Sequence, residues 1–469
     1  MNDGPTEPAR RRTRRHFLKT AAAAVSAAVA APALVPSSVL GANAPSNRIN
    51  LGVIGCGNQS TVDLPNFLRN DDLQVLAVCD VNTASYGYVR EDQYLGREPA
   101  KKQVEAFYAE KHGSGTYRGC DAYNDFRKVL SRDDVDAVAI ITPDHWHGVM
   151  VSMAAAAGKH IWGQKPLSLT IRQGQEMIKA VRKHKVILQT GSQFRSSPAN
   201  RHACELVRNG RIGRLERIQT FLATNNFTGP GPGWQPMPVP PGFDYETWLG
   251  PAPSAPYHAD RCLYRFRFNL DYSGGQITNF GAHSNDIAQW GNGTCLTGPV
   301  EIEGLEAEWP PKGSLFNTAL SSRFRARYAN GVELVCQTGE PRMGARFEGT
   351  EGWVQFGFGG LKTHPESLKD SKIGADEIHL PRSVPDREED VYRNYCVDHV
   401  RNFVDAVKAG EDPIAPVEIG HRTASICHLG NIAVRTMRKL QWDPDKEQFV
   451  GDDEANGMLA RPLRAPWHL

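Results

Sequence analysis

INLGVIGCGNQS, residues 49–60, carries an apolar run straight into two glycines one residue apart. A strand with no polar alternation is buried on both faces, as in a parallel sheet sandwiched between helices. Gly55 permits the tight turn out of that strand, and Gly57 lets the backbone approach a pyrophosphate at the start of the next helix. Asn58 and Gln59 complete the turn. Ser60 stands where a third glycine is usual and is small enough to let helix pack on strand.

Outward from this turn the pattern repeats. LQVLAVCD (73–80), VDAVAIITP (135–143), KHIWGQKP (159–166) and VILQTGS (186–192) read as further apolar strands, separated by helical spacing in YNDFRKVLS (123–131) and GVMVSMAAAA (148–157). Alternating strands and helices predict a doubly wound α/β Rossmann domain over residues 48–195. The second strand ends in Asp80, positioned to accept hydrogen bonds from an adenosine ribose. A carboxylate there repels a ribose phosphate, and Val81-Asn82-Thr83 rather than an arginine come next, so NAD is expected over NADP.

The chain has 469 residues, 40% of them apolar, enough for a large core in two or three domains, and a formal net charge of +2. That balance argues against a nucleic-acid partner, and no apolar stretch is long enough for a polytopic membrane protein. The basic cluster before Phe17-Leu18-Lys19, with Arg14-Arg15 and an Ala-rich run from Thr20 to Val35, resembles a twin-arginine export signal. Residues 1–44 are therefore expected to direct a folded protein to the periplasm, leaving no stable membrane span after processing. The nine cysteines are scattered without a C-x-x-C and read as core packing, as for Cys79 within its apolar run.

The glycine turn, ITPDHWH (141–147) and GQKP (163–166) together resemble the Gfo/Idh/MocA oxidoreductases. The likeness continues in GGQITNFGAHSNDIAQW (274–290) and spans the chain from about Arg48 to the C-terminus. In that family the lysine of an E-K-P motif points into the active site, which Lys165 and Pro166 match, and His283 matches the catalytic histidine. The resemblance implies that Thr142, Pro143 and His147 face the nicotinamide ribose beside Gln164. Secreted glucose-fructose oxidoreductases of the family also carry twin-arginine signals.

After residue 195 the character changes. LERIQTFLA (215–223), EIEGLEAEW (301–309), LSSRFRARYANGVELVCQTG (320–339), MGARFEGTEGWVQFGF (343–358) and DEIHL (376–380) show strand-like alternation and hairpin turns. They predict an α+β domain over 196–440 with a large, mostly antiparallel sheet; in relatives such a sheet often joins subunits, so a homo-oligomer is expected. Residues 441–469 read as a polar tail anchored by Trp442 and Trp467. Asn225–Pro256 reads as a long ordered loop, and Tyr264-Arg265-Phe266-Arg267 follows it. Aromatic faces and guanidinium forks suit a polyhydroxylated ring, and an alternating strand gives the same pattern for packing reasons alone. Arg195, Tyr264, Arg267, Asn279 and His283, with Lys165, are the candidate substrate contacts. Two amphipathic helices close the domain, and their His399, His421 and His428 read as packing residues.

Oxidising a secondary alcohol needs a hydride acceptor on one side of the carbon and a base on the other. NAD supplies the first; Lys165 and His283 are the catalytic candidates for the hydroxyl proton. Two departures from the family matter: Gln164 stands for the usual Glu and Asn279 for the usual Asp. Losing both anions lowers the proton affinity of each base and opens the way for Lys165 itself to act in the neutral form. Three functions follow: an NAD-dependent sugar or cyclitol dehydrogenase, or in the same class a nonreleasing oxidoreductase that cycles bound cofactor between two sugars; an NAD-dependent glycosidase working through transient oxidation; and a noncatalytic sugar binder. His145-Trp146-His147 has a metal-like spacing, but no metal is expected there.

Overall fold

The computed structural model describes residues 47–357, 360–385 and 394–469. The export motif at Arg14 and Arg15 lies outside them.

Six short strands form the first sheet: β1 (Ile49–Ile54), β2 (Leu73–Cys79), β3 (Asp121–Tyr123), β4 (Ala137–Ile140), β5 (His160–Gly163) and β6 (Leu188–Thr190). They are all parallel, in the order β3-β2-β1-β4-β5-β6. The continuous apolar runs follow from this, because helices cover both faces and β4 is buried at every position. The order reverses between β1 and β4, and ligands of open α/β sheets bind in the crevice beyond such a switch point.

The second sheet has nine strands: β7 (Leu215–Leu222), β8 (Glu301–Glu308), β9 (Ser321–Arg327), β10 (Glu333–Thr338), β11 (Met343–Gly349), β12 (Trp353–Gly357), β13 (Lys362–His364), β14 (Lys439–Asp443) and β15 (Gln448–Phe449). Every pair is antiparallel except β7 with β10. Its strands alternate: Phe324 and Ala326 point into the core, whereas Arg323 and Arg325 lie outward and pair with Glu306 and Glu303. The inner face carries the helices Gly281–Asn292 and Val417–Thr436.

Three expectations change. DEIHL forms no strand; Asn209 exchanges side-chain hydrogen bonds with both main-chain groups of Ile378, and Glu205 accepts from the Leu380 N–H, so side chains satisfy backbone that a ladder would have paired. Arg265–Phe268 is a turn of 3₁₀ helix, not a strand. The boundary at 440 falls inside β14, and β14 and β15 extend the large sheet, while the two tryptophans anchor the segment as expected: Trp442 packs on Phe449, and Trp467 on Phe126 and Trp146 of the first domain. The helix Tyr395–Ala409 likewise buries Val400, Phe403 and Val404 in the first domain's core. No helix among the described residues is long and apolar enough to cross a membrane.

Candidate active site

Beyond the switch point lies a cleft enclosing about 1100 Å³ of open space, with walls from both sheets' domains. Gly55, Gly57, Asn58, Gln59, Asp80, Thr142 and Pro143 line one side, Tyr264, Arg267 and Asn279 the other, with Gln164 and Lys165 at the strand end between them.

The turn after β1 is shaped as a dinucleotide needs. Gly55 has φ +98°, and a Cβ there would lie 2.3 Å from the main-chain oxygen of Ile141, so only glycine fits. A Cβ on Gly57 would meet the Tyr88 ring at 3.1 Å, so that position too is kept bare on the cleft side. The helix Ser60–Leu68 starts without a side-chain cap; instead the Thr61 N–H donates to the Asn58 oxygen at 3.2 Å and the Val62 N–H to the Gln59 oxygen at 3.0 Å, which closes the turn onto the helix. Asp80 is held rigidly: its two oxygens accept the Cys56 N–H at 2.7 Å and the Asn82 N–H at 2.8 Å. Each oxygen keeps a lone pair for a ribose hydroxyl. Burial raises its pKa against the pull of these two N–H groups and of Arg97, whose guanidinium donates to the Asp80 main-chain oxygen. These residues fit a nicotinamide dinucleotide.

Lys165 follows β5 and crosses to the other domain, where its Nζ donates to Asn279 Oδ1 at 2.8 Å and Asn279 O at 3.0 Å. Burial first, then the positive charge of Arg267, pushes the amine down to about 8, against the opposing pull of Asp144, Cys427 and Asp63. Arg267 lies 3.9 Å over the Tyr264 ring and 4.8 Å from that of Phe266, which fixes its fork in the cleft wall.

Three expected contacts sit elsewhere. His147 is buried outside the cleft lining, with Nδ1 2.8 Å from the Pro166 oxygen and Nε2 2.9 Å from the Thr142 oxygen. Both ring nitrogens face backbone carbonyl oxygens of the two strand-end loops, so neither is turned toward a ribose. Arg195 is 3% exposed and locked on Asp286 by three hydrogen bonds of 2.8–3.0 Å, beneath the Trp290 ring. It is an internal ion pair and does not reach the cleft. His283 lies one helical turn beyond Asn279, half-buried and not among the residues lining the cleft, with its ring 5.2 Å from that of Phe194. Its Nδ1 has no hydrogen-bond partner, and burial, Lys165 and His399 together hold the imidazole well below its ordinary pKa. Lys165 and His283 are thus electrical neighbours, but only the amine faces the open space.

The anions missing from the sequence positions are supplied from elsewhere. Asp144, at the start of the helix Asp144–Ala156, lines the cleft, is 5% exposed and accepts the Ser273 hydroxyl at 2.5 Å. Burial raises its pKa, against His147, Ser273, Arg267 and Lys165. Asp63, in the first helix, accepts from Gln164 Nε2 at 2.6 Å and from Gln59 Nε2 at 3.2 Å. Neither is adjacent to Lys165 in sequence, and only an acid among buried positions near a turn would have hinted at them. His145 Nε2 faces the Trp248 oxygen at 2.9 Å, so it and His147 are both turned to backbone carbonyls.

Comparison with known proteins places these features. Residues 49–192 match the model described as oxidoreductase family, NAD-binding Rossmann fold, and residues 225–469 match that described as oxidoreductase family, C-terminal alpha/beta domain. The chain is similar to the myo-inositol 2-dehydrogenase of Thermotoga maritima, 31% identical over 197 residues, which is 42% of this chain and 48% of the relative. It is 30% identical over 179 residues to the alpha-N-acetylgalactosaminidase of Shewanella oneidensis, covering 35% and 36% of the two chains. The chain spans about half the length, or less, of such curated relatives. Among solved structures it resembles aldose-aldose oxidoreductase from Caulobacter crescentus complexed with glycerol, with TM-score 0.58 and 19% identity over 84% of this chain and 99% of the other. At that identity the likeness shows the fold.

Proposed function

Because this chain belongs to the Gfo/Idh/MocA oxidoreductase family, we propose that it oxidises a secondary alcohol of a sugar or cyclitol, using NAD. The observation that carries this reading is a single cleft in which the glycine turn and Asp80 share walls with Lys165, Asn279, Arg267 and Asp144. A nicotinamide dinucleotide bound there supplies the hydride acceptor. Gly55, Gly57, Asn58 and Gln59 would hold its pyrophosphate and Asp80 its ribose, with Thr142 and Pro143 beside the nicotinamide half.

The chain's own contribution is the proton. As the carbon gives up its hydride, the hydroxyl O–H breaks, its proton passes to the neutral amine of Lys165, and a carbonyl remains. An amine near 8 is neutral often enough to accept it and basic enough to hold it. Asn279 steadies the amine without fixing its proton, Arg267 and Tyr264 offer a fork and a face to the ring, and the Asp144 carboxylate accepts a neighbouring hydroxyl. His283, outside the cleft lining and with its proton affinity suppressed, serves as a neutral ring.

A glycosidase reading, in which oxidation is transient and a neighbouring bond is eliminated, draws support from Asp144, a buried acid in the cleft whose pKa is raised, as a proton donor needs, and from the galactosaminidase relative. Incubating the purified protein with a dinucleotide and a panel of aldoses, cyclitols and glycosides separates them. Net NADH with a keto-sugar supports the oxidoreductase; released sugar without net reduction supports the glycosidase; dinucleotide binding with neither product refutes both.

The segment around Arg14 and Arg15 is proposed to export the protein folded. Appearance of the processed chain in the periplasm, lost in an Arg14→Lys, Arg15→Lys variant, tests it.

A further inference from the structure

Gln164 is 4% exposed and its amide is fully committed: Nε2 donates to Asp63 Oδ2 at 2.6 Å, while Oε1 accepts the Lys165 main-chain N–H at 3.2 Å. The space for this amide exists because residue 191 is glycine; a Cβ there would lie 2.6 Å from Gln164 Oε1. Asp63 is itself 2% exposed, and its other oxygen accepts from Gln59 Nε2, a residue of the nucleotide turn. One buried carboxylate therefore anchors two glutamines that line the cleft, one on the nucleotide side and one next to Lys165. We propose that Asp63 is a positioning residue that replaces, from the helix Ser60–Leu68, the negative charge absent at position 164 after β5, and that it acts on Lys165 through the Gln164 amide.

The surroundings fit that role. The Trp162 indole N–H from β5, which finds no acceptor at hydrogen-bonding distance, draws Asp63 down as well, and the Cys396 thiol of the helix Tyr395–Ala409 faces it without compensating charge. Burial nonetheless dominates, raising Asp63 to about 6, so it is an anion at and above neutrality. The charged or titratable groups facing Lys165 are Arg267 from the 3₁₀ turn, Asp144 from its helix, Cys427 from the helix Val417–Thr436, His283, and Asp63. Arg267 opposes the proton on Lys165, and Asp63 with Asp144 favours it. Moving the carboxylate off position 164 puts it behind an amide, where it tunes the lysine without forming an ion pair that would hold the amine protonated.

The inference rests on Lys165 being the proton acceptor, but its test does not need turnover. Acetic anhydride labelling of Lys165 in the full-length protein, followed by peptide mass spectrometry across a pH series, reports the fraction of neutral amine directly. In Asp63→Asn the labelling midpoint moves to lower pH by roughly half a unit or more, because a favourable anion has gone. The double variant Asp63→Asn, Gln164→Glu, which returns a carboxylate to the position before the lysine, moves it back to or above the wild-type value. If sugar oxidation is found, the acid limb of kcat/KM shifts in the same order. A midpoint unchanged in both variants, or an Asp63→Asn effect confined to thermal stability, overturns the proposal. Should Asp63→Asn fail to fold, the double variant against wild type and against Gln164→Glu alone decides it: Gln164→Glu with Asp63 present must titrate higher than the double variant, and equal midpoints refute a role for Asp63.

Discussion

Lys165 is held from across the interdomain cleft by Asn279, whose side-chain and main-chain oxygens both accept from the same Nζ. An amide oxygen steadies an ammonium without neutralising it. Burial and Arg267 then prevail, and the amine settles at about 8 instead of its usual value above 10. The neutral, proton-accepting form grows as pH rises, so kcat/KM for sugar oxidation is expected to climb through a midpoint near 8. A pH–rate profile in the oxidation direction checks this; a midpoint in the imidazole range would shift the role to His283.

Replacing Asn279 with Asp puts an anion at hydrogen-bonding distance from Nζ. The charged amine is favoured and the midpoint rises by about one to three pH units. At neutral pH the Asn279→Asp variant should oxidise its substrate roughly tenfold or more slowly, recovering at high pH, as steady-state rates across a pH series will show.

His283 is not among the residues lining the cleft, and its proton affinity is already suppressed. His283→Ala is therefore expected to retain activity within about tenfold of wild type, well short of the 10²–10⁴-fold typical of a lost general base. Parallel kcat measurements on His283→Ala and a Lys165 variant rank the two groups.

Arg195 and Asp286 form an ion pair 3% and 1% exposed in side-chain terms. Removing one partner strands a buried charge, which costs about 3–5 kcal/mol. Arg195→Ala should lose that much stability in urea unfolding, and any protein that remains folded should keep its KM. A large KM increase with little loss of stability would return Arg195 to the substrate site.

Asp80 sets cofactor preference by its charge and by the two N–H groups that hold it. NAD should bind more tightly than NADP, and Asp80→Ser should narrow the ratio by about tenfold or more, as one lost charge–charge repulsion does. Isothermal titration with both dinucleotides measures it. The nearby Arg97 is committed to backbone and lies outside the cleft lining, so it is not expected to rescue NADP binding.

The two sheets were legible because their periods differ: unbroken apolar runs for the parallel sheet, strict alternation for the antiparallel one. The cofactor wall was legible because it is local, a turn and a strand end. What escaped is what folding brings together from a distance. Nothing in GQKP tells that Asp63, about a hundred residues earlier, meets Gln164. Nor does the family-like spacing around His283 show that Asn279 and Lys165 line the cleft while His283 does not. Arg195 stands among the candidate substrate contacts in the sequence, yet Asp286, some ninety residues later, holds its guanidinium. The 3₁₀ turn at Arg265–Phe268 mimics strand alternation over too few residues for periodicity to separate the two.

The most direct measurement is sugar-dependent reduction of bound nicotinamide in wild type and Lys165→Met, each pre-equilibrated with saturating NAD at pH 8 and mixed rapidly with substrate. The account predicts rapid reduction in wild type, a loss of about a hundredfold or more in Lys165→Met, and the same dinucleotide affinity in both. Equal reduction rates in the two proteins, or failure of the wild type to bind any nicotinamide dinucleotide, would contradict it.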